Sequence, residues 1–255
     1  MKARRTPEGP PSEGPTAAAQ PAEREVRSPR SRHWEFVRSL LVAIAIFLVL
    51  RTFIIEAFRI PSGSMENTLL IGDFLFVNKA LYGAEVPFTG LHLPAFREPR
   101  RNDLVIFRSV EERLTVVKRL VGMPGDTLAM EDNRLVVNGQ AAAEPFVIRT
   151  DPLRGDHEDP KMRAWQVKYL PADRDRATYR PTLQNWGPLV VPPDSFFAMG
   201  DNRDNSYDSR YWGFLGRDRI RGRPLIIYYS YNPNGVLPLP FFTAPRWRRL
   251  LSLPR

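Results

Sequence analysis

The feature that most constrains this chain is one uninterrupted apolar run, LLVAIAIFLVL, at residues 40–50. With the mostly apolar residues 34–37 before it, the run approaches the roughly 20 residues that span a bilayer. Arg38 and Arg51 stand near its two ends, where long basic side chains can reach the membrane interface. We therefore predict one N-terminal transmembrane helix over residues 34–52.

Two other interpretations of the run are a buried core helix and a cleaved signal peptide. A secretory signal starts near the N-terminus and ends at small residues, whereas this run starts late and continues into RTFIIEAFRIP. A permanent anchor is therefore the preferred interpretation.

Charge near the run predicts its orientation. Eight basic residues precede or enter it: Lys2, Arg4, Arg5, Arg24, Arg27, Arg30, Arg32 and Arg38. By the positive-inside rule the N-terminus stays cytoplasmic, and the chain beyond Arg51 lies outside the inner or plasma membrane, anchored by a single pass. Residues 1–33, which include a stretch rich in Pro, Ala, Gly and Glu, are predicted to form a disordered cytoplasmic tail.

Beyond the membrane, short apolar segments bounded by turn residues predict a mainly β domain. The predicted strands lie in residues 73–83, 102–109, 114–122, 126–140, 195–201 and 223–231, with a hairpin turn at 131–133. Residues 53–140 and 194–232 are expected to form one β-rich core. The polar, proline-rich residues 141–193 are predicted to be an inserted cap. The basic and apolar C-terminal tail, residues 233–255, either lies on a membrane surface or is frayed.

Composition narrows the possible functions. The formal net charge of +9 favours either a nucleic-acid surface or attraction to anionic lipid. Because the positive charge is dispersed and the domain is predicted to lie outside, nucleic-acid binding is not expected. The sequence has no cysteine, which excludes a disulfide, a thiol nucleophile and a thiolate metal site. It has no H-E-x-x-H motif either, and we expect no metal and no cofactor.

The segment IPSGSMENTL, residues 60–69, is either a solvated turn or the site of a serine nucleophile. A nucleophile needs a base, and the three histidines are poorly set for that role. His33 is on the cytoplasmic side, His92 lies in a Pro-flanked loop, and His157 lies in a charged loop. There is also no G-x-S-x-G elbow. Lysine is the other candidate, provided that burial lowers its pKa by roughly 3 units so that it is neutral.

Lys118 is the best placed lysine in the sequence. In the predicted strand LTVVKRLVG it shares one face with Val116 and Leu120, so its amine would emerge between apolar neighbours. The alternative is an edge-strand lysine whose amine reaches water, and Lys79 is the nearest rival as a base.

The polar segment GDNRDNSYDSR, residues 200–210, follows an apolar strand. It fails the EF-hand pattern. It is either a solvated turn or a loop made rigid by internal ion pairs and Asx turns, which would present Ser206 to a neighbour.

Taken in order along the chain, these segments resemble the bacterial type I signal peptidases, also called leader peptidases. The apolar run is followed by FRIPSGSMENTLLIGD, RNDLVIF, VVKRLVGMPGD and MGDNRDNSYDSRYWGFLG. The resemblance covers roughly residues 36–140 and 195–230. It implies a membrane-bound Ser-Lys dyad endopeptidase with a largely antiparallel β fold. Its substrates would be the signal peptides of exported preproteins, cut after small residues such as Ala-x-Ala. We expect such an enzyme to be a monomer.

The resemblance also implies a role for each matching site residue. Ser64 would be the nucleophile and Lys118 the general base. The Ser62 hydroxyl would hold the oxyanion together with the Ser64 N–H, and Ser206 would orient the lysine amine. The implied supporting residues are Met65, which would line the cleft, and Arg119, Asp201, Asp208 and Arg210.

Three rival functions remain open from the sequence. One is a related Ser-Lys protease that matures a conjugation or pilus protein, although the full GDNRDNSYDSR loop favours the general leader peptidase. The second is a penicillin-interacting serine enzyme, which would need an S-x-x-K motif that is not found here. The third is a non-enzymatic, membrane-anchored β-domain.

Overall fold

A computed structural model describes residues 29–83, 89, 91, 93–111, 114–151 and 156–254. Residues 1–28, most of the predicted cytoplasmic tail, lie outside the described residues, as does His92. The chain divides into two units after Ile44. All the elements below belong to the second unit, apart from the start of the first helix.

The first element is helix α1, Pro29–Phe53, which contains the whole predicted span. Its large apolar side chains from Trp34 to Val49 are exposed. Among the described residues, no helix meets the combined length and apolarity needed to cross a membrane. A helix over the predicted span is confirmed, but it begins at Pro29, so the prediction of a disordered tail is wrong for residues 29–33. The transmembrane assignment stays a prediction.

The rest of the described chain contains eleven strands and three further α-helices, joined by loops and short 3₁₀ turns. The strands are β1 Ile55–Arg59, β2 Asp73–Asn78, β3 Leu104–Arg108, β4 Thr115–Gly122, β5 Thr127–Glu131, β6 Arg134–Val137, β7 Gln140–Ala141, β8 Trp186–Val190, β9 Ser195–Met199, β10 Leu215–Gly216 and β11 Ile220–Ser230. The helices are α2 Pro160–Gln166, α3 Ser209–Trp212 and α4 Pro240–Thr243.

The strands form two sheets. The larger has seven strands in the order β1-β2-β11-β3-β4-β9-β10, and the smaller has four in the order β7-β6-β5-β8. All the strand pairs are antiparallel. The prediction of a mainly β, antiparallel domain is confirmed.

Strand β4 lies in the interior of the larger sheet, between β3 and β9. Its two faces belong to different apolar clusters, one containing Val117 and the other Val116 with Leu120. Since both faces are covered, every residue from Val117 to Gly122 is buried. Any polar side chain on this part of β4 is therefore withdrawn from water.

The predicted strand segments agree with the structure in position. They correspond to β2, β3, β4, the β5–β6 hairpin, β9 and β11, and the hairpin turn contains Asp132 and Asn133 at φ 46° and 67°. The sequence missed β1 and the short strands β7 and β10. It also missed β8, which lies within the predicted cap and pairs with β5. β8 escaped notice because its WGPLV sequence contains a glycine and a proline, which are depleted in strands.

The C-terminal tail differs from one of its two predicted forms. The backbone N–H of Ile227 donates to Ser252 at 2.9 Å, and that of Arg246 donates to Ser230 at 2.8 Å. An isolated bridge also pairs Tyr231 with Pro245. The frayed alternative is therefore wrong for residues 245–252, because these residues are hydrogen-bonded along β11.

Candidate active site

Ser64 lies in one turn of 3₁₀ helix, Gly63–Met65, within a loop that we call the serine loop, residues 60–73. The ends of this loop are closed by two backbone bonds, from Ile60 N–H to Asp73 at 2.9 Å and from Gly72 N–H to Ile60 at 3.1 Å. The Ser64 side chain is buried, whereas Ser62 is exposed. Their hydroxyl oxygens lie 3.5 Å apart. The loop thus presents two neighbouring hydroxyls, one sheltered and one open to solvent.

Lys118 lies in the middle of β4 and is 5% exposed. It faces Val105 across the β3–β4 pair, and Val105 belongs to the same apolar cluster as Val116 and Leu120. The predicted face of Lys118 is therefore confirmed, and the alternative of an edge lysine that reaches water is wrong. The rival Lys79 is more exposed and lies 3.6 Å from the Glu56 carboxylate.

Gly200 brings the lysine strand, the serine loop and the GDNRDNSYDSR loop together. Arg119 pairs with Met199, so the next position in this register sets Lys118 opposite Gly200. A side-chain carbon at Gly200 would lie 2.2 Å from the Ser206 hydroxyl and 2.5 Å from the Ser64 carbonyl oxygen. Facing residues of an antiparallel pair point to the same side of the sheet. The Lys118 side chain therefore lies on the side of the sheet where the absence of a side chain at Gly200 leaves room for the Ser206 hydroxyl and the Ser64 carbonyl oxygen.

The Ser206 hydroxyl is buried without a hydrogen-bond partner among the described residues. The hydrogen bond to the Lys118 amine implied by the resemblance is thus not formed, although Ser206 stands beside the lysine strand. Catalytic hydrogen bonds of this kind often tighten only when a substrate is bound. A buried hydroxyl without a hydrogen-bond partner is uncommon in folded proteins and calls for an explanation.

Burial lowers the pKa of the Lys118 amine to about 8. The carboxylates of Asp208 and Asp201 act in the opposite direction and raise the pKa, while the guanidinium of Arg210 lowers it. The main cause is desolvation, which disfavours the charged form of a buried amine. Lys118 can therefore be neutral at a pH near 8, as a general base requires.

Asp208 and Arg210 form a buried pair under this site. Arg210 Nε and Nη2 donate to the two oxygens of Asp208 at 2.8 and 2.9 Å. Burial alone would raise the pKa of Asp208, but the charge and hydrogen bonds of Arg210 outweigh it and lower the pKa. The carboxylate accepts from Gly200 N–H at 3.0 Å, so this pair fixes the backbone beside Lys118 and Ser206.

Arg119 and Asp201 form a second buried pair on the other face of β4. Arg119 Nη2 lies 2.6 Å from Asp201 Oδ2, and the Thr68 hydroxyl donates to the same oxygen at 2.5 Å. The aromatic ring of Phe146 covers the guanidinium at 3.9 Å. Because Thr68 belongs to the serine loop, this pair joins the loop to the lysine strand.

The remaining predicted residues are placed as follows. Met65 is fully buried among the apolar residues Ile60, Leu69 and Val117. His33 and His157 are both exposed. Within the described part of the chain, no group of three or more His, Cys, Asp or Glu side chains could hold a metal ion.

Sequence reasoning missed Gly200 and Thr68 as parts of the site. In the sequence, Gly200 resembles an ordinary turn residue beside an Asp-rich loop. It matters because the lack of a side chain lets other segments approach its backbone closely. Thr68 follows Ser64 by four residues, but nothing in the sequence pairs it with Asp201. No pattern in one sequence supplies either contact.

A mainly β domain in which a buried serine turn adjoins the strand of a buried lysine of lowered pKa has the kind of groups that a serine hydrolase uses. The sequence profile described as signal peptidase, peptidase S26, matches residues 33–229. Signal peptidase I of Pseudomonas aeruginosa is 35% identical over 223 residues, which cover 82% of this chain and 77% of that protein. Signal peptidase I of Leptolyngbya laminosa is 30% identical over 239 residues, 90% of this chain and 97% of that protein.

The chain belongs to the signal peptidase family, peptidase S26, and is a serine endopeptidase. The predicted family is confirmed. The alternative of a non-enzymatic β-domain is wrong.

Proposed function

We propose that this protein removes N-terminal signal peptides from exported preproteins by a Ser-Lys dyad mechanism, cutting after small residues in an Ala-x-Ala-like pattern. The observation that carries the proposal is the Lys118 amine. It is buried, its pKa is lowered to about 8, and its strand adjoins the Ser64 turn through Gly200. The relatives named signal peptidase I support the substrate class.

In the proposed acylation step, Ser64 Oγ attacks the scissile carbonyl carbon while its proton passes to the neutral Lys118 amine. The carbon–nitrogen bond then breaks, and the lysine ammonium returns the proton to the departing amine. The signal peptide remains as an ester on Ser64. In deacylation, Lys118 takes a proton from the attacking water. The ester bond then breaks, the lysine ammonium returns the proton to Ser64 Oγ, and the released carboxylic acid ionises to a carboxylate.

The oxyanion that forms during both steps needs hydrogen-bond donors. We assign this role to the Ser62 hydroxyl and the Ser64 N–H. The Ser62 hydroxyl lies 3.5 Å from the nucleophilic oxygen, close enough to reach an oxygen bonded to the attacked carbon. Each such donor is typically worth about 3 kcal/mol. Ser206 would orient the lysine amine through the hydroxyl that has no partner among the described residues.

The function is tested by incubating the purified protein in detergent or lipid with a preprotein of known sequence. We expect one cut after a small residue at the end of the signal peptide, with the new N-terminus read by mass spectrometry. A preprotein with the small residues before the cut changed to Leu is the control and should stay intact. An uncut native preprotein, or cuts scattered along the chain, would contradict the proposal.

We also propose that α1 is a single-pass anchor with a cytoplasmic N-terminus, so that the catalytic domain faces the extracytoplasmic side. The support is the apolar run at residues 40–50, with basic residues concentrated before it. A protease added to intact spheroplasts should then degrade the domain but leave an epitope tag at the N-terminus. The same treatment after lysis is the control, because it should remove the tag. Loss of the tag in intact spheroplasts would contradict this topology.

A further inference from the structure

We propose that Arg249 is a positioning residue that holds the serine loop in its reactive geometry from the C-terminal arm, which we define as residues 240–252. The inference rests on the proposed function, since it concerns the nucleophile of that reaction. Arg249 touches neither Ser64 nor Lys118 by any hydrogen bond among the described residues. Its effect passes through Asp73 and Thr68, two residues of the serine loop.

The contact with Asp73 is a bidentate ion pair. Arg249 Nε donates to Asp73 Oδ1 at 3.0 Å, and Nη2 donates to Oδ2 at 2.6 Å. The Asp73 side chain is fully buried, whereas that of Arg249 is 23% exposed. Paired charge-assisted bonds of this geometry are among the stronger hydrogen bonds in proteins and also fix direction. The arm thus supplies the positive charge for a buried carboxylate in the serine loop.

Asp73 in turn links the end of the serine loop to other residues of the same loop and to β11. Its carboxylate accepts from the Leu70 N–H at 2.8 Å and from the Ser230 hydroxyl at 2.6 Å. Its own carbonyl accepts from Ile60 N–H at 2.9 Å, which closes the loop. The Asp73 carboxylate thus accepts four hydrogen bonds, two of them from Arg249, at the point where the two ends of the serine loop meet.

Thr68 is the second link, and it leads to the reacting groups. Arg249 Nη2 donates to the Thr68 carbonyl at 3.0 Å. The Thr68 N–H donates to Met65, beside Ser64, at 3.0 Å. The Thr68 hydroxyl binds Asp201, which pairs with Arg119 next to Lys118. One guanidinium thus bonds a residue that contacts both the serine turn and the ion pair on the lysine strand.

The arm has the rigidity that such a role requires. Arg246 Nη1 donates to the Ile71 carbonyl of the serine loop at 2.8 Å, and the arm is bonded to β11 at Ser252 and Arg246. Its neighbour Arg248 is exposed and forms no hydrogen bond to the serine loop within the described part of the chain. Arg248 is therefore a matched control for charge and for position in the arm.

The test compares four variants of the full chain in the preprotein assay: Arg249→Gln, Arg249→Lys, Asp73→Asn with Arg249→Gln, and Arg248→Gln. Activity is expressed per folded molecule, below the melting temperature of each variant. For Arg249→Gln we expect kcat to fall by about ten- to 100-fold with KM within about twofold, because small misplacements of a reacting group have effects of this size. Arg249→Lys should recover part of kcat, and Arg248→Gln should match the wild type.

The double variant separates positioning from folding. Asp73→Asn removes the carboxylate that Arg249→Gln leaves buried and unpaired, so the double variant should melt at a higher temperature than Arg249→Gln. Its kcat should stay low, since the bond to Thr68 is still absent. Wild-type kcat per folded molecule in either Arg249→Gln form would overturn the inference. A wild-type protein that cuts no preprotein would instead overturn the proposed function.

Discussion

Ser64→Ala and Lys118→Met are each expected to lower kcat for preprotein cleavage by on the order of 10⁴-fold or more, with the fold retained. Ser64→Ala removes the oxygen that forms the ester. Lys118→Met removes the base but keeps a long apolar side chain in a buried position of β4. Because the two groups act as a unit, the double variant should be no slower than the slower single variant.

Cleavage in detergent with the new N-terminus read by mass spectrometry measures the loss, and circular dichroism measures the fold. Lys79→Met is the matched control, because Lys79 is partly exposed and lies beside Glu56. It should keep wild-type activity. Activity within tenfold of wild type in Ser64→Ala or Lys118→Met would rule out the dyad.

The second large effect is the pH dependence of cleavage. The lysine acts as a base only when neutral, and its pKa is lowered to about 8. The neutral fraction falls as the pH drops below this value, so kcat/KM should fall about tenfold for each pH unit, to roughly 1% of its plateau at pH 6. The midpoint of this fall should lie at the lysine pKa of the free enzyme, because kcat/KM reports the pKa values of the unbound state. A rate that stays flat from pH 8 to pH 6 would exclude a neutral-amine base.

The same lowered pKa links Lys118 to stability. The amine has a pKa near 10.4 in an unfolded chain and about 8 in the folded protein, so the folded state binds fewer protons between these values. Stability should therefore rise with pH across this window. Below pH 8 the buried amine is charged, which lowers the free energy of unfolding by the full amount, about 3 kcal/mol at 1.36 kcal/mol per pKa unit. Lys118→Met lacks the penalty and should unfold at a higher temperature at pH 7, with the difference vanishing near pH 10.5.

Much of the architecture could be predicted because the strand segments are short, apolar and bounded by turn residues. The face of Lys118 was predicted from its strand position beside Val116 and Leu120, but its burial was left open, because an edge-strand lysine fits the same pattern. β8 could not be predicted, because its glycine and proline hide a strand whose pairing with β5 is set by distant residues. The packing of the C-terminal arm was left open for a similar reason. Its arginines find partners more than 100 residues away, at Asp73 and Ile71.

The site itself depended on the order of several weak motifs. Ser64, Lys118 and Ser206 were assigned through a family resemblance. The structure adds that Gly200 leaves room for the Ser206 hydroxyl and the Ser64 carbonyl oxygen. Contacts of this kind join three segments that are distant in sequence, so no local sequence pattern predicts them. Asp208 and Arg210 are the exception. They stand two residues apart, and their pairing was within reach of local reasoning.

The position of Lys118 in the interior of the larger sheet restricts how this protein can change by insertion or deletion. A shift of β4 by one residue would turn every side chain to the opposite face. A shift in one direction would set Arg119 opposite Gly200, and an arginine is never neutral in a protein. A shift in the other direction would set Val117 there, which has no amine. Loops elsewhere can grow or shrink with little effect on this register. The register of one eight-residue strand, Thr115–Gly122, must be kept to the residue, because it decides which of two adjacent basic side chains stands opposite Gly200.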